Sequence, residues 1–209
     1  MQLAQPVWIG IQGGTCAGKT ALAEAIIASL GSSAVLVIGL DRFYTDYDRT
    51  SAAQPPGTHN WDHPSSVGWQ RVRSSVRRLN AGRSTILPVF DYVSGLRIGG
   101  IKVIPKDFIV IEGLWPFHNE YLRNSFDVRI FVDTPADVRL VRRLRRDILG
   151  DSRGWSLRDE LLYWESYARP MHDEFVEPGK GMADIVLDGE IEVGHQVDVV
   201  VERIKAKRR

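Results

Sequence analysis

The sequence predicts an α/β fold: a parallel sheet sandwiched by helices, with a β-hairpin insertion. Two observations predict it. Five short apolar runs rich in β-branched residues recur along the 209-residue chain, each suited to a strand buried on both faces, and segments of helical periodicity lie among them. Between the second and third runs, residues 84–105 read instead as two extended pieces. A chain of this length can bury one substantial core, and no linker, repeat or low-complexity tract divides it, so residues 1–209 are read as one domain.

The first run, 7–12, leads through the stretch GGTCAGKT into a helical pattern over 19–30. The second, 34–40, precedes a segment, 45–64, in which Pro55, Pro56 and Gly57 mark a loop. A helix is expected over 66–80, and the hairpin follows with its strands joined through SGLRIGG. The third run, 108–111, and the fourth, 128–132, complete the central strands. After the fourth comes DTPADVRLVRRL, where Asp133 and Thr134 are capping candidates and Pro135 takes the first position of a helix over 135–149. A helix over 156–175, near whose start Trp155, Leu161, Leu162 and Trp164 are expected to pack, a strand at 185–187 and a helix over 195–206 end the order.

Composition excludes several classes of function. Lys and Arg number 27 against 26 Asp and Glu, a balance that argues against a generic nucleic-acid or membrane-surface binder. No 18-residue stretch is uncharged and apolar, and MQLAQPVWIG lacks the basic-then-apolar order of a secretory leader, so a cytoplasmic location is expected. One cysteine, Cys16, cannot form an internal disulfide, in keeping with a reducing compartment. The five histidines, among them His59, His63, His118, His172 and His195, show no zinc-like spacing.

GGTCAGKT matches G-x-x-x-x-G-K-[ST] from Gly13 to Thr20. Glycines let the backbone curl so that successive N–H groups point at phosphate oxygens, and the following helix adds its positive N-terminal end. With a strand before it and a helix after it, the stretch is read as the phosphate loop of a P-loop NTPase-type fold. Gly13, Gly14, Thr15, Cys16, Ala17 and Gly18 would cradle ATP, Lys19 would reach the β- and γ-phosphates, and the Thr20 hydroxyl would ligate Mg²⁺. Cys16 is read as a small residue at a variable loop position; the alternative is a reactive thiol that nucleotide would shield.

A phosphate loop does not separate kinases from hydrolases or switches, so the strand-end acids matter. Asp41 closes the second run in VLVIGLDRFY and Glu112 closes the third in DFIVIEG. The carboxyl ends of parallel strands form the ligand crevice, where one acid can hold the metal shell and the other accept a proton from an attacking hydroxyl. In RLVRRLRRD, Arg139, Arg142, Arg143 and Arg146 share a helical face by their three- and four-residue spacing, while Arg145 points elsewhere. That face is read as a phosphate-facing lid spanning 139–155.

Taken in order, GGTCAGKT, LDRFY, NWDHP, LPVFDYVSGLR, VIEGLWPF, RIFVDTPADVRLVRRLRRD and EPGKGMAD resemble the uridine-cytidine kinases of the phosphoribulokinase/uridine kinase family, from about residue 7 to the last helix. The resemblance implies Mg·ATP-dependent phosphorylation of a nucleoside 5′-hydroxyl, with uridine or cytidine as acceptor and nucleotide salvage as the setting. It implies that Asp41 is the base, that Glu112 joins Thr20 in the metal shell, and that Asp62 holds ribose hydroxyls. Arg143 and Arg153 fall on the sugar side, Arg146 faces the transferring phosphate, and Tyr44 and Trp61 wall the nucleoside pocket. Arg97 matches an arginine after the base-binding segment. Homo-oligomers are common among such relatives.

Two departures from the relatives' pattern stand out, one in the base-binding segment and one in the lid. The matching segment of the relatives carries tyrosine at Phe90, phenylalanine at Tyr92 and commonly histidine at Gly95, so two groups that normally meet the polar edge of the pyrimidine are absent. Phe90 and Tyr92 still fall in the base-binding segment, Tyr92 either restoring a hydroxyl or packing in the hairpin. In the lid, Asp151 stands where a basic residue is common. The altered segment VFDYVSGLR admits a kinase for another hydroxylated molecule, such as nicotinamide riboside or pantothenate. A regulatory nucleotide-binding protein is the rival from a different class.

Overall fold

A computed structural model describes residues 5–47, 59–150 and 156–207. Five parallel strands form the central sheet: β1 (Val7–Gly13), β2 (Val35–Gly39), β5 (Phe108–Gly113), β6 (Val128–Asp133) and β7 (Ile185–Asp188), in the order β2-β5-β1-β6-β7. Strands β3 (Thr85–Asp91) and β4 (Leu96–Val103) pair antiparallel as a separate hairpin. The helices are α1 (Lys19–Leu30), α2 (Trp69–Asn80), α3 (Glu120–Arg123), α4 (Ala136–Leu144), α5 (Leu157–Tyr163), α6 (Arg169–Met171) and α7 (Val197–Ala206). None among the described residues is long and apolar enough to cross a membrane.

Side-chain alternation along β1 builds both cores. Val7, Ile9 and Ile11 face Leu22, Ala23 and Ile26 of α1 and Val200, Val201 and Ile204 of α7. Trp8 faces the other way, into a cluster with Val72, Val76 and Leu79 of α2, Ile38, Phe43 and Trp115. The three- and four-residue spacing of Val72, Val76 and Leu79 lays them on one stripe, each contributing about 1.5–3 kcal/mol on burial. A β-carbon at Gly10 would come within 2.8 Å of Phe117 and Phe126, so the bare glycine lets those rings seat on β1. Gln12 is fully buried; its Nε2 donates to the Val176 carbonyl while its Oε1 accepts from the Phe117 N–H, tying the turn at Phe117 and the helical turn ending at Val176 to the strand.

The expected elements are all present, with shifted ends. Helix α2 begins at Trp69 because Pro64–Ser66 forms a 3₁₀ turn and Val67 stays extended. Pro135 caps α4 from outside rather than opening it, and the Thr134 hydroxyl donates to the Ala17 carbonyl at 2.9 Å instead of capping the helix. The expected helix over 156–175 is a helical run interrupted by wide π turns at Trp164–Ala168 and His172–Val176, on either side of Pro170, which lacks the N–H for a regular ladder. In that run Leu161 and Leu162 face outward, 37% and 51% exposed, and Glu160, Tyr163 and Trp164 turn inward. The hairpin turn is Tyr92–Gly95, capped by Asp91, whose carboxylate accepts from the Val93 and Ser94 N–H groups; LRIGG belongs to β4. Of the loop expected over 45–64, residues 48–58 lie outside the described residues.

Candidate active site

The phosphate loop leaves β1 and turns into α1 through Gly18, whose φ of +106° is open to glycine and costly for other residues. No side chain caps α1, so its first N–H groups stay available to an anion. Cys16 also adopts a positive φ, 58°. Gly13 and Gly14 form the back of the loop. A β-carbon at Gly13 would meet the Val132 carbonyl at 2.6 Å, and one at Gly14 the Arg139 guanidinium at 2.6 Å.

Residues from Thr15 to Thr20 line a cleft of about 360 Å³, and the cleft continues past Asp41 and Glu112 to Tyr44, Trp61, Asp62, Phe90 and Tyr92. Register explains why the two acids meet: β2 and β5 are neighbours and Gly39 pairs with Glu112. A β-carbon on Gly39 would lie 2.7 Å from Asp41 Oδ1 and 3.5 Å from Glu112 Oε1, so both carboxylates lean over a bare glycine. Asp41 stands in a 3₁₀ turn, Leu40–Phe43, two residues beyond the strand end.

Charge in this part of the cleft is mutually adjusted. Burial pulls the Lys19 amino group below its ordinary range, opposed by Glu112 and Asp41; its Nζ donates to the Gly14 carbonyl at 2.8 Å. Burial pushes the Glu112 carboxyl up, Lys19 opposes this, and Asp41 adds to it. A half-buried carboxylate beside a second one, with the exposed Thr20 hydroxyl opposite in the same cleft, is a set of hard oxygen donors that suits Mg²⁺ carried on phosphates.

At the far end, Tyr44, Trp61 and Phe90 contact one another with ring centroids 5.2–5.6 Å apart, and Tyr92 adds its ring to Phe90 at 5.5 Å. Asp62 is 7% exposed. The hairpin delivers Phe90 from a bulge, where Ile98 of β4 has no opposite residue between the Val89–Gly99 and Phe90–Arg97 pairs. Gly95 holds φ +75° in the hairpin turn and donates its N–H to the Asp91 carbonyl.

The arginine run divides. Arg143 and Arg146 line the cleft; Arg145 is exposed. Arg139 is 2% exposed behind the phosphate loop, its Nε donating to the Thr134 carbonyl and its guanidinium 5.3 Å from the Trp164 ring. Arg142, at the edge of the shared arc, turns to the Gly189 carbonyl after β7. Burial alone would lower the Arg143 guanidinium, but Asp62 and Glu160 outweigh it and raise it.

Most of the expected site residues thus meet in one cleft, with four exceptions. Gly13 and Gly14 stand behind the lining of the cleft. Arg97 does not line it: its guanidinium forks onto the Asp46 carboxylate, tying β4 to the chain after Tyr44. Arg153, with Asp151 and Trp155, lies outside the described residues. Sequence reasoning missed Glu160, Tyr163 and Trp115, which also line the cleft. The three-residue spacing of Glu160 and Tyr163 on α5 was the available signal.

Comparison with known proteins decides the family. The Phosphoribulokinase / Uridine kinase family model matches residues 8–200. The chain belongs to this family. It is 37% identical over 202 residues to a protein named uridine kinase from Chloroflexus aurantiacus, covering 96% of this chain and 95% of that one. A uridine kinase from Geobacillus sp. is 37% identical over 205 residues, covering 96% and 94%. Among solved structures, one from Silicibacter sp. TM1040 superposes with a TM-score of 0.68 at 19% identity, covering 88% of this chain and 91% of that one. The phosphoribulokinase of Rhodobacter spheroides does so with 0.58 at 14% identity, covering 88% and 69%. These structural likenesses establish the fold, a P-loop kinase sheet with an added hairpin. Membership makes the chain a phosphotransferase of the kinase type, and kinases of this family move a phosphoryl group from ATP.

Proposed function

We propose that the chain transfers the γ-phosphoryl group of ATP to the 5′-hydroxyl of a pyrimidine ribonucleoside, uridine or cytidine, yielding the monophosphate for cytoplasmic nucleotide salvage. One observation carries the reading. A single continuous cleft has a phosphate loop at one end, an aromatic wall with a buried acid and arginine at the other, and Asp41 between them. The uridine kinase names of relatives covering 96% of the chain support the acceptor class.

In this reading Asp41 accepts the 5′-hydroxyl proton as that oxygen attacks. Lys19 and the loop N–H groups hold the phosphates, Arg146 faces the charge that spreads over the transferring oxygens, and Arg143 stays on the sugar side. Thr20 and Glu112 hold Mg²⁺, which supplies neutralisation of phosphate charge when bound with ATP. Asp62 meets ribose hydroxyls, Arg153 stands on the sugar side, and Tyr44, Trp61, Phe90 and Tyr92 form the wall for the base. The hairpin 84–105 is the acceptor-side insertion and 139–155 the lid of one catalytic unit.

The wall is built from ring faces and edges, which also suits a planar acceptor read by stacking, such as nicotinamide riboside. The test is ADP release from Mg·ATP against uridine, cytidine, adenosine, guanosine, nicotinamide riboside and pantothenate, with product mass. Stimulation by uridine or cytidine with a monophosphate product is expected. Stimulation by nicotinamide riboside alone moves the acceptor to that class, and nucleotide hydrolysis unchanged by every acceptor removes the pyrimidine nucleoside claim and brings an acceptor outside the panel, or a regulatory NTPase, to the front.

A further inference from the structure

Tyr163 has no part in the roles above, yet it sits between two of them. It ends α5 at 3% exposure, and its hydroxyl donates to Asp62 Oδ2 at 2.8 Å while accepting from the Trp61 N–H at 2.9 Å. The Arg143 guanidinium lies 5.1 Å from the centroid of the Tyr163 ring, and Arg143 Nε donates to Glu160 Oε2 at 2.8 Å. Glu160 and Tyr163 are three residues apart on α5, so one helix face braces both the acid and the guanidinium at the acceptor end of the cleft. Arg143 continues the connection, with Nη1 3.4 Å from the Thr15 hydroxyl of the phosphate loop. Burial and the Asp62 carboxylate push the Tyr163 phenol well above its ordinary value, which keeps it a hydrogen-bond donor at neutral pH.

A carboxylate on a short side chain can rotate about its terminal torsion, and a hydrogen bond to one oxygen fixes the direction of the other. We propose that Tyr163 is a positioning residue: by holding Asp62 Oδ2 it aims Oδ1 at a sugar hydroxyl of the acceptor, and so sets the preference for ribo- over deoxynucleosides. This rests on the nucleoside reading given under the proposed function. Tyr163 acts through Asp62 and does not itself touch the reacting atoms.

The test compares kcat and KM of the wild-type chain and Tyr163→Phe on uridine, 2′-deoxyuridine and 3′-deoxyuridine. For uridine, kcat/KM is expected to fall about 10- to 100-fold, the effect of a hydrogen bond to a charged group, and mostly through KM. For the deoxynucleoside lacking the hydroxyl that Asp62 meets, the fall is expected to stay under about threefold, so the ribo-to-deoxy ratio collapses. In an Asp62→Asn background, Tyr163→Phe is expected to add less than about threefold. Equal losses on all three nucleosides, or none, overturn the proposal, since a merely structural role moves every substrate alike. Should Tyr163→Phe not give folded chain, Tyr163→Met carries the same comparison. A wild-type chain inactive on all three nucleosides is a separate result, seen before any variant is made, and it removes the nucleoside reading and this proposal together.

Discussion

Arg143 and Glu160 form a 2.8 Å ion pair with both side chains almost wholly buried, 7% and 2% exposed, joining the arginine-rich helix to α5 across the cleft. Asp147 stands 3.8 Å from the same guanidinium. A buried pair is costly to break because the surviving charge is left in low dielectric. Glu160→Gln is therefore expected to lower stability by about 3 kcal/mol, read as the shift in urea midpoint at unchanged slope. A shift below about 1 kcal/mol would mean that Asp62 and Asp147 together compensate Arg143.

Asp41→Asn keeps the shape of the cleft and removes the carboxylate proposed as proton acceptor. It is expected to cut kcat by about two to four orders of magnitude while leaving the Kd for Mg·ATP within about twofold. Titration calorimetry and steady-state rates separate the two, and near-normal kcat would exclude the base assignment.

Glu112→Gln is expected to raise the Mg²⁺ concentration needed for half-maximal rate by about tenfold or more, since it removes the carboxylate proposed to ligate the metal. A Mg²⁺ titration at fixed ATP reads it. An unchanged requirement would place the metal on other groups.

Gly18→Ala meets nothing closer than Val132 Cγ1 at 4.0 Å, so space does not forbid it; the backbone does, at φ +106°. The expected cost is about 1–3 kcal/mol of stability, with Mg·ATP affinity weakened at least about tenfold by a distorted loop. Thermal melts with and without nucleotide would show both effects, and a wild-type response to nucleotide would contradict the account.

Burial, with Arg139 and Lys19 nearby, pulls the His172 imidazole down to about 4 from an ordinary 6.5. Nε2 lies 3.2 Å from Glu177 Oε2, a contact that a neutral ring makes by donating; the half-exposed Glu177 carboxylate does not offset burial. The unfolded chain takes up a proton that the folded chain refuses, so this contribution is whole above about pH 6.5 and is lost as pH falls toward 4. Its size is at most about 3 kcal/mol. His172→Phe is expected to flatten the fall in Tm between pH 6.5 and 4.5; parallel profiles for the two proteins would refute the assignment.

The cleft was legible where chemistry is local to the chain. GGTCAGKT between a strand and a helix identifies the phosphate loop, because the turn and the helix terminus follow directly from adjacent residues. Asp41 and Glu112 were legible too, since strand ends in a parallel sheet share one edge. Arg97 was not: its forked pairing with Asp46 depends on the hairpin folding back across 51 residues. The arginine run shows the same limit, because periodicity alone puts Arg139 and Arg142 on the face of Arg143. Packing against Gly14 and Trp164 buries Arg139 behind the loop, and the Gly189 carbonyl draws Arg142 aside.

The amino-acid order by itself determined the strand runs, the phosphate loop and the acids beside it, all set by neighbouring residues and by alternation. Only the tertiary structure decided that Glu160 and Tyr163 brace Arg143 and Asp62. Glu160 lies 17 residues from Arg143 and Tyr163 lies 101 from Asp62 in sequence, and both contacts exist because α5 turns its polar face inward and leaves Leu161 and Leu162 outside. Burial of a charge is acceptable only where a partner arrives with it, and that arrival is a property of the packed fold.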